Sequence, residues 1–315
     1  MIDLRLNIRD DRQFKSLTGL SEEKFEKLCP IFCEVYEEAL EEAHVQDIFQ
    51  DRRKNERGGG RKGKLPTIED KLFFVLYYFK VYPTFDVLAS TFGMSRSKAC
   101  ENVHKFTPVL YEALYRAGFM PYRHFESVEE FKKAFEGIDR IIIDATERKH
   151  VRPQDSEKQT EMYSGKKKGH TIKNTIISTT EKVIMFVGQT LTGHNHDYKM
   201  LKEEFPPDKP WFRDINVLLD LAYQGIQNDY EGKAIEIPVK KPRKSKGNPE
   251  PKLSQEAKEK NRALSKIRIF IENAIGGMKR YNILNHPVRN KKNTFIDDAI
   301  AICAGLWNMI LPALN

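Results

Sequence analysis

Long apolar runs are missing from this chain. No stretch approaches the ~18 residues that span a bilayer, and the start, MIDLRLNIRDDRQF, has none of the basic, apolar and small-residue sections of a signal peptide. The expected location is therefore the cytoplasm. Cysteine is scarce too: the four (Cys29, Cys33, Cys100, Cys303) include no Cys-x-x-Cys pair, which argues against a disulfide framework or a zinc ribbon. Cys29 and Cys33 stand one helical turn apart and read as buried thiols rather than metal ligands. Charge is present in both signs, 53 Lys+Arg against 45 Asp+Glu, and the net +8 says little until its distribution is considered. Basic residues gather in residues 52–64 (with Arg61, Lys62 and Lys64), in Lys166, Lys167 and Lys168, and in KKPRKSK from Lys240 to Lys246. Three separated patches suit an extended polyanion.

At 315 residues and 40% hydrophobic composition, the chain can bury a large core and fill more than one domain. Residues 21–50 read as a helix: Ser21 is a cap, Glu22 and Glu23 favour its positive end, and Phe25, Leu28, Phe32, Val35, Tyr36 and Leu40 form an apolar stripe. Gly58, Gly60 and Gly63 formally match GxGxxG, but no strand precedes them, so the segment reads as a flexible basic linker. Three helices follow over residues 65–106, capped by Thr67, Thr84 and Ser95, with Pro83 and Gly93 as punctuation. The third carries Arg96, Lys98, Asn102 and His104 outward, the pattern of a helix-turn-helix.

After a linker over residues 121–136, the texture changes to strands: GIDRIIIDATER, HTIKNTIIST, KVIMFVGQTLT, INVLLDLAY and AIEIPVKK. A helix begins near Asp197, between the third and fourth strands. The last helix, over residues 294–311, places Ile296, Ile300, Cys303, Leu306, Trp307 and Ile310 on one side. This order predicts an α/β fold, a ribonuclease H-like mixed five-stranded sheet flanked by helices and preceded by an all-α helix-turn-helix domain. The expected divisions are 1–57, 58–120 and 121–315.

Asp144 and Asp220 end buried strands, where a carboxylate is costly unless something cationic neutralises it. On neighbouring strands they could share metal ions. Glu272, in SKIRIFIENAIGGMKRY, shares a helical face with Arg268 and Lys279; an ordinary solvated face gives the same pattern. Asp197 competes with Asp220, but it opens a helix, where an Asp usually serves as a cap.

These residues resemble the DDE transposases of bacterial insertion sequences, in the insertion-sequence-five group related to eukaryotic Harbinger elements. Asp144-Ala145-Thr146-Glu147 is similar to the family's first-aspartate motif, and Tyr163 to Lys168 with His170 to its basic hairpin. Gly193-His194-Asn195-His196-Asp197 resembles its glycine, histidine, aspartate signature. Asp220 with Ala222, Tyr223 and Gly225 resembles the second-aspartate motif, and Arg268, Glu272 and Lys279 the third-carboxylate signature. Ser265 stands where relatives often carry tyrosine. The resemblance implies a transposase that binds terminal inverted repeats as double-stranded DNA, as a homodimer in the DNA complex, and cuts and joins strands at Asp144, Asp220 and Glu272 with two Mg²⁺ (or Mn²⁺) ions. It also implies that Arg96, Lys98, Arg61, Lys62, Lys64, Lys166, Lys167, Lys168, Arg268 and Lys279 contact DNA. A DNA-binding regulator derived from a transposase, or another ribonuclease H-like nuclease, is the alternative.

Overall fold

The computed structural model describes residues 7–50, 63–244, 249–290 and 292–314. Arg61, Lys62, Lys246 and the glycines at 58–60 lie outside them. The chain divides into two compact units, residues 1–120 with 278–315 and residues 121–277. No helix among the described residues is long and apolar enough to cross a membrane.

The first unit is helical, and local chemistry sets its boundaries. After α1 (Asp11–Thr18), helix α2 (Glu22–Phe49) starts where the Ser21 hydroxyl accepts from the Lys24 amide. Helix α3 (Ile68–Val81) opens with a full capping box between Thr67 and Asp70. Thr84 caps α4 (Phe85–Phe92), Gly93 turns the chain at φ +62°, and Ser95 caps α5 (Arg96–Arg116). Every helix start read from the sequence in this region is present, because each rests on a side chain satisfying an otherwise orphaned amide two or three residues on. The α4–Gly93–α5 succession is the expected helix-turn-helix.

The second unit begins with α6 (Val128–Ala134), inside the stretch read as a linker. Ser127 caps it and only Val128 and Phe131 are buried, so it is too short to show a periodic stripe. The sheet follows: β1 (Arg140–Lys149), then α7 (Ser156–Met162), β2 (Tyr163–Ser164), β3 (Gly169–Thr179), β4 (Ile184–Val187) and β5 (Leu191–Thr192). Helix α8 (Asp197–Glu204), β6 (Phe212–Leu218), α9 (Ile226–Asp229) and β7 (Gly232–Glu236) complete it, and α10 (Gln255–Met278) closes the unit. The strand order is β2-β3-β1-β6-β7, with β4 and β5 both pairing β3. β3 runs antiparallel to β1, whereas β6 and β7 are parallel to it. This is the mixed sheet expected of the ribonuclease H-like fold. The third expected strand breaks into β4 and β5 at residues 188–190, where the Gly188 amide donates to the Thr175 carbonyl; within β4 the register with β3 also shifts, between Ile177 and Ser178. The fifth ends at Glu236, short of Lys241, and Asn261 of α10 brackets the Val239 backbone with two hydrogen bonds of 2.7 and 3.0 Å.

The chain then returns to the first unit with α11 (Asn282–Asn285) and α12 (Asn293–Ile310). Residues 278–315, read from the sequence as part of a domain spanning 121–315, cluster instead with residues 1–120, because α12 is apolar on nearly all sides and packs on α5. His104, expected outward on α5, lies edge-on against Phe295 of α12 at 5.3 Å and is half-buried.

Under the sheet lies an aromatic core. The Phe131 ring contacts Phe125, Phe135, Phe205, Trp211 and Phe212 at centroid distances of 4.4–6.1 Å. Phe131→Ala should cost about 3–5 kcal/mol in urea unfolding, by lost burial plus an unfilled cavity; a loss under ~1 kcal/mol would mean that this cluster does not hold α6 to the sheet.

Glu204, at the end of α8, is pushed up to about 7 by burial, partly offset by the Thr175 hydroxyl. A carboxyl raised in the folded state stabilises while protonated, so its contribution is complete below the unfolded value of ~4.3 and is lost as pH rises through about 7. Glu204→Gln should therefore melt above the wild type at pH 8, with the advantage vanishing by pH 4. An equal difference at both pH values would exclude ionisation of Glu204 as its cause.

Candidate active site

The sheet register explains why two distant aspartates meet. β1 and β6 pair in parallel with Ile142 opposite Leu218. Asp144 and Asp220 each follow two residues later, at the same level and with the same side-chain parity, where β6 has ended and β1 continues. Three isoleucines, Ile141 to Ile143, anchor β1 below Asp144, and Val217, Leu218 and Leu219 do the same below Asp220.

The electrostatics follow from this proximity. Asp144 is pushed up to about 6, first by burial and then by the charge of Asp220, with Arg268 acting in the opposite direction. The Asp144 Oδ2 accepts from Arg268 Nη2 at 3.3 Å, its Oδ1 accepts from the Ala145 amide at 2.8 Å, and both side chains are about four-fifths buried. Asp220 Oδ1 accepts from the Ala222 amide at 2.6 Å and so caps the 3₁₀ turn Leu221–Tyr223. Two neighbouring carboxylates of which only Asp144 meets a guanidinium are short of positive charge, and their oxygens suit a hard divalent cation.

Asp197 is also close enough to raise Asp144. It was expected to cap α8. The cap is His196, whose Nδ1 accepts from the Tyr198 amide at 3.3 Å, and Asp197 is the first residue of the helix. The Asp197 carboxylate is committed to Lys173 Nζ at 2.9 Å, an ion pair with side-chain exposures of only 18% and 13%; Lys173 also donates to the Asn195 carbonyl. Lys173 escaped the sequence reading. Its signal was a lone lysine in the middle of the largely buried strand GHTIKNTIIST.

Glu272 is exposed on α10, one turn beyond Arg268. Arg268 of the same helix reaches Asp144, and among the described residues no three His, Cys, Asp or Glu side chains gather into a metal cluster. Glu147 accepts from the Thr171 hydroxyl at 2.6 Å. His194 is exposed, and Lys279 follows the end of α10, in the first unit. Lys166, Lys167 and Lys168 are exposed in the turn of the β2–β3 hairpin, whose register pairs Tyr163 with His170. On α5, Arg96 and Lys98 are exposed; Arg96 reaches Asp86 at 3.5 Å and Lys98 reaches Glu101 at 2.6 Å. Lys64 is exposed just before α3.

Residues 143–308 match the family described as DDE superfamily endonuclease, a span that starts one residue before Asp144 and passes Glu272. Residues 63–116, from Gly63 to the end of α5, match the helix-turn-helix of DDE superfamily endonuclease. Among curated proteins, the chain is 28% identical over 287 residues to the probable transposase for insertion sequence element IS702 of Microchaete diplosiphon, covering 90% of this chain and 89% of that protein. No solved structure is a significant match. With Asp144 within β1, Asp220 just past the end of the adjacent parallel strand β6, and a capped helix-turn-helix ahead of them, the chain belongs to the DDE superfamily endonucleases.

Proposed function

We propose that this protein is a transposase that binds the terminal inverted repeats of its own mobile element, cuts DNA there and joins the freed 3′-OH to target DNA. The juxtaposition of Asp144 and Asp220 beside Arg268, inside the endonuclease segment, carries this reading. The name of the Microchaete diplosiphon relative supports it. The helix-turn-helix within residues 58–120 is assigned to DNA recognition, and residues 121–315 to catalysis. That functional division differs from the packing division, since α12 rests on α5.

Asp144, Asp220 and Glu272 are assigned as the acids that hold two Mg²⁺ or Mn²⁺ ions. When bound, such ions supply the positive charge that activates an attacking oxygen and stabilises a leaving one. The protein groups do the rest. Arg268, whose guanidinium already sits at Asp144, offers its remaining N–H donors to the scissile phosphate. Lys279 holds a neighbouring phosphate, and Lys166 to Lys168 follow the flanking backbone. Water and the 3′-OH act in turn at one site, so no covalent link to the protein is needed.

Asp144→Asn, Asp220→Asn and Glu272→Gln should each abolish strand cleavage on repeat-bearing DNA while leaving end binding intact, and Asp197→Asn should be milder because its charge is committed to Lys173. An active Asp220→Asn alongside an inactive Asp197→Asn would exchange their roles. Cutting in excess EDTA would remove the divalent ions from the reaction.

Recognition is assigned to the start of α5, where Arg96 is exposed and its ion pair with Asp86 is too solvated to restrain it. Arg96→Ala should lower the preference for repeat over random DNA by about 1–3 kcal/mol, the worth of a bidentate guanine contact. Replacing Arg61, Lys62 and Lys64 together should weaken both DNAs alike and flatten the salt dependence. Titrations on both DNAs at several salt concentrations distinguish the two effects, and equal losses for Arg96→Ala would exclude base reading.

A further inference from the structure

Helix α3 ends in an unfavourable backbone conformation just ahead of the helix-turn-helix. Its C-cap, Tyr82, has φ +51° and ψ +56°, the left-handed region that a residue with a bulky side chain seldom adopts. Pro83 follows, and Thr84 caps α4. Tyr82 therefore sets the angle at which the chain passes from α3 into the first helix of the motif. The carbonyls at such a helix end have no amide partner within the helix and must find one elsewhere.

They find it in the short segment between α10 and α12. Asn282 Nδ2 donates to the Val81 carbonyl at 3.4 Å, and Arg289 Nη2 donates to the carbonyls of Tyr82 at 2.8 Å and Pro83 at 2.9 Å. The Arg289 guanidinium also lies over the Tyr82 ring, 3.9 Å from its centroid, and the Arg289 backbone amide donates to the Tyr82 hydroxyl at 3.1 Å. In the opposite direction, Lys80 Nζ donates to the Arg280 carbonyl at 2.8 Å. One residue thus holds Tyr82 by its carbonyl, its ring face and its hydroxyl. Arg289 itself is exposed, so its engagement is polar and fills no core.

We propose that Arg289 is a positioning residue for DNA recognition: by clamping Tyr82 and Pro83 it fixes the entry into α4 and, through α4, the start of α5 that reads the element ends. This rests on the assignment of recognition to Arg96. Helices α4 and α5 pack directly on each other, and Arg96 Nε lies 3.5 Å from Asp86 in the first turn of α4. A pivot at Tyr82 therefore displaces the side chain that meets the base edge, where a bidentate contact demands strict geometry. Residues 63–116, which match the family's helix-turn-helix, contain the reading helix but not the group that sets its angle. A guanidinium is required, because a lysine ammonium cannot lie flat on the ring while donating to both carbonyls.

The test uses the full chain with Arg289→Met and Arg289→Lys, titrated against repeat-bearing and random duplexes at several salt concentrations, well below the melting transition of each variant. Arg289→Met should lower the preference for repeat over random DNA by about 5–10-fold, part of what a lost bidentate base contact removes. Its affinity for random DNA and the salt dependence should not change, and Arg289→Lys should restore little of the preference. In an Arg96→Ala background, Arg289→Met should have almost no further effect, since the two act on one contact. Equal losses on both DNAs, with a flatter salt dependence that Arg289→Lys reverses, would make Arg289 a phosphate contact and overturn its positioning role. Unchanged preference would overturn it too, read from Arg289→Lys if Arg289→Met does not fold. If the wild type shows no preference for repeat DNA, the recognition assignment itself fails and the role of Arg289 falls with it.

Discussion

The parallel pairing of β1 with β6 is the constraint on which the site depends. It places residues 76 positions apart in sequence, Asp144 and Asp220, at one level of one sheet. Burying two like charges is unfavourable, and a sheet edge of buried isoleucine, valine and leucine makes it more so. The fold tolerates the cost because α10 brings a guanidinium to Asp144 and backbone amides at Ala145 and Ala222 donate to the two carboxylates. The same shortage of positive charge that costs stability is what makes the pair receptive to a cation.

Around this pair, polar groups are arranged so that other charges are satisfied locally. Lys173 takes up Asp197. Arg148, 2% exposed, donates to Asn174 at 2.9 Å and Thr190 at 3.2 Å, and Asn174 in turn donates to the Gly188 carbonyl. These contacts fix β3 and the chain after β4 against β1, and with them the loop that leads into α8. The aromatic layer from Phe125 to Phe212 supports the opposite side. The acidic pair is thus carried on regular strands whose positions are set by packing, which suits a site that must hold its geometry.

The helical unit follows a different logic. Its boundaries come from short-range hydrogen bonds at Ser21, Thr67, Thr84 and Ser95, and its interior from interleaved rings such as Phe74 with Phe92 and Phe106. With α12 packed on α5, the helix assigned to DNA reading is held by the far end of the chain. Arg96 and Lys98 remain exposed at its start while His104, two turns on, is drawn into that contact.

Caps, turn glycines and apolar runs were legible because each is decided within a few residues: a hydroxyl beside an orphan amide, a left-handed φ, a strand alternation. They were enough to give the helix-turn-helix, the order of the main strands and Asp220 at a strand end, whereas Asp144, expected at the end of its strand, lies within β1. Helix α6 was not legible, since two buried residues make no periodicity. Nor was the break between β4 and β5, where Gly188 is held by the Thr175 carbonyl and the Asn174 side chain across the sheet. The tertiary structure alone determined that Arg268 pairs with Asp144, that Asp197 is spoken for by Lys173, and that the last helix belongs with the first unit. Each of these depends on cross-strand register or on burial against elements far away in sequence, and a local pattern of residues contains neither distance.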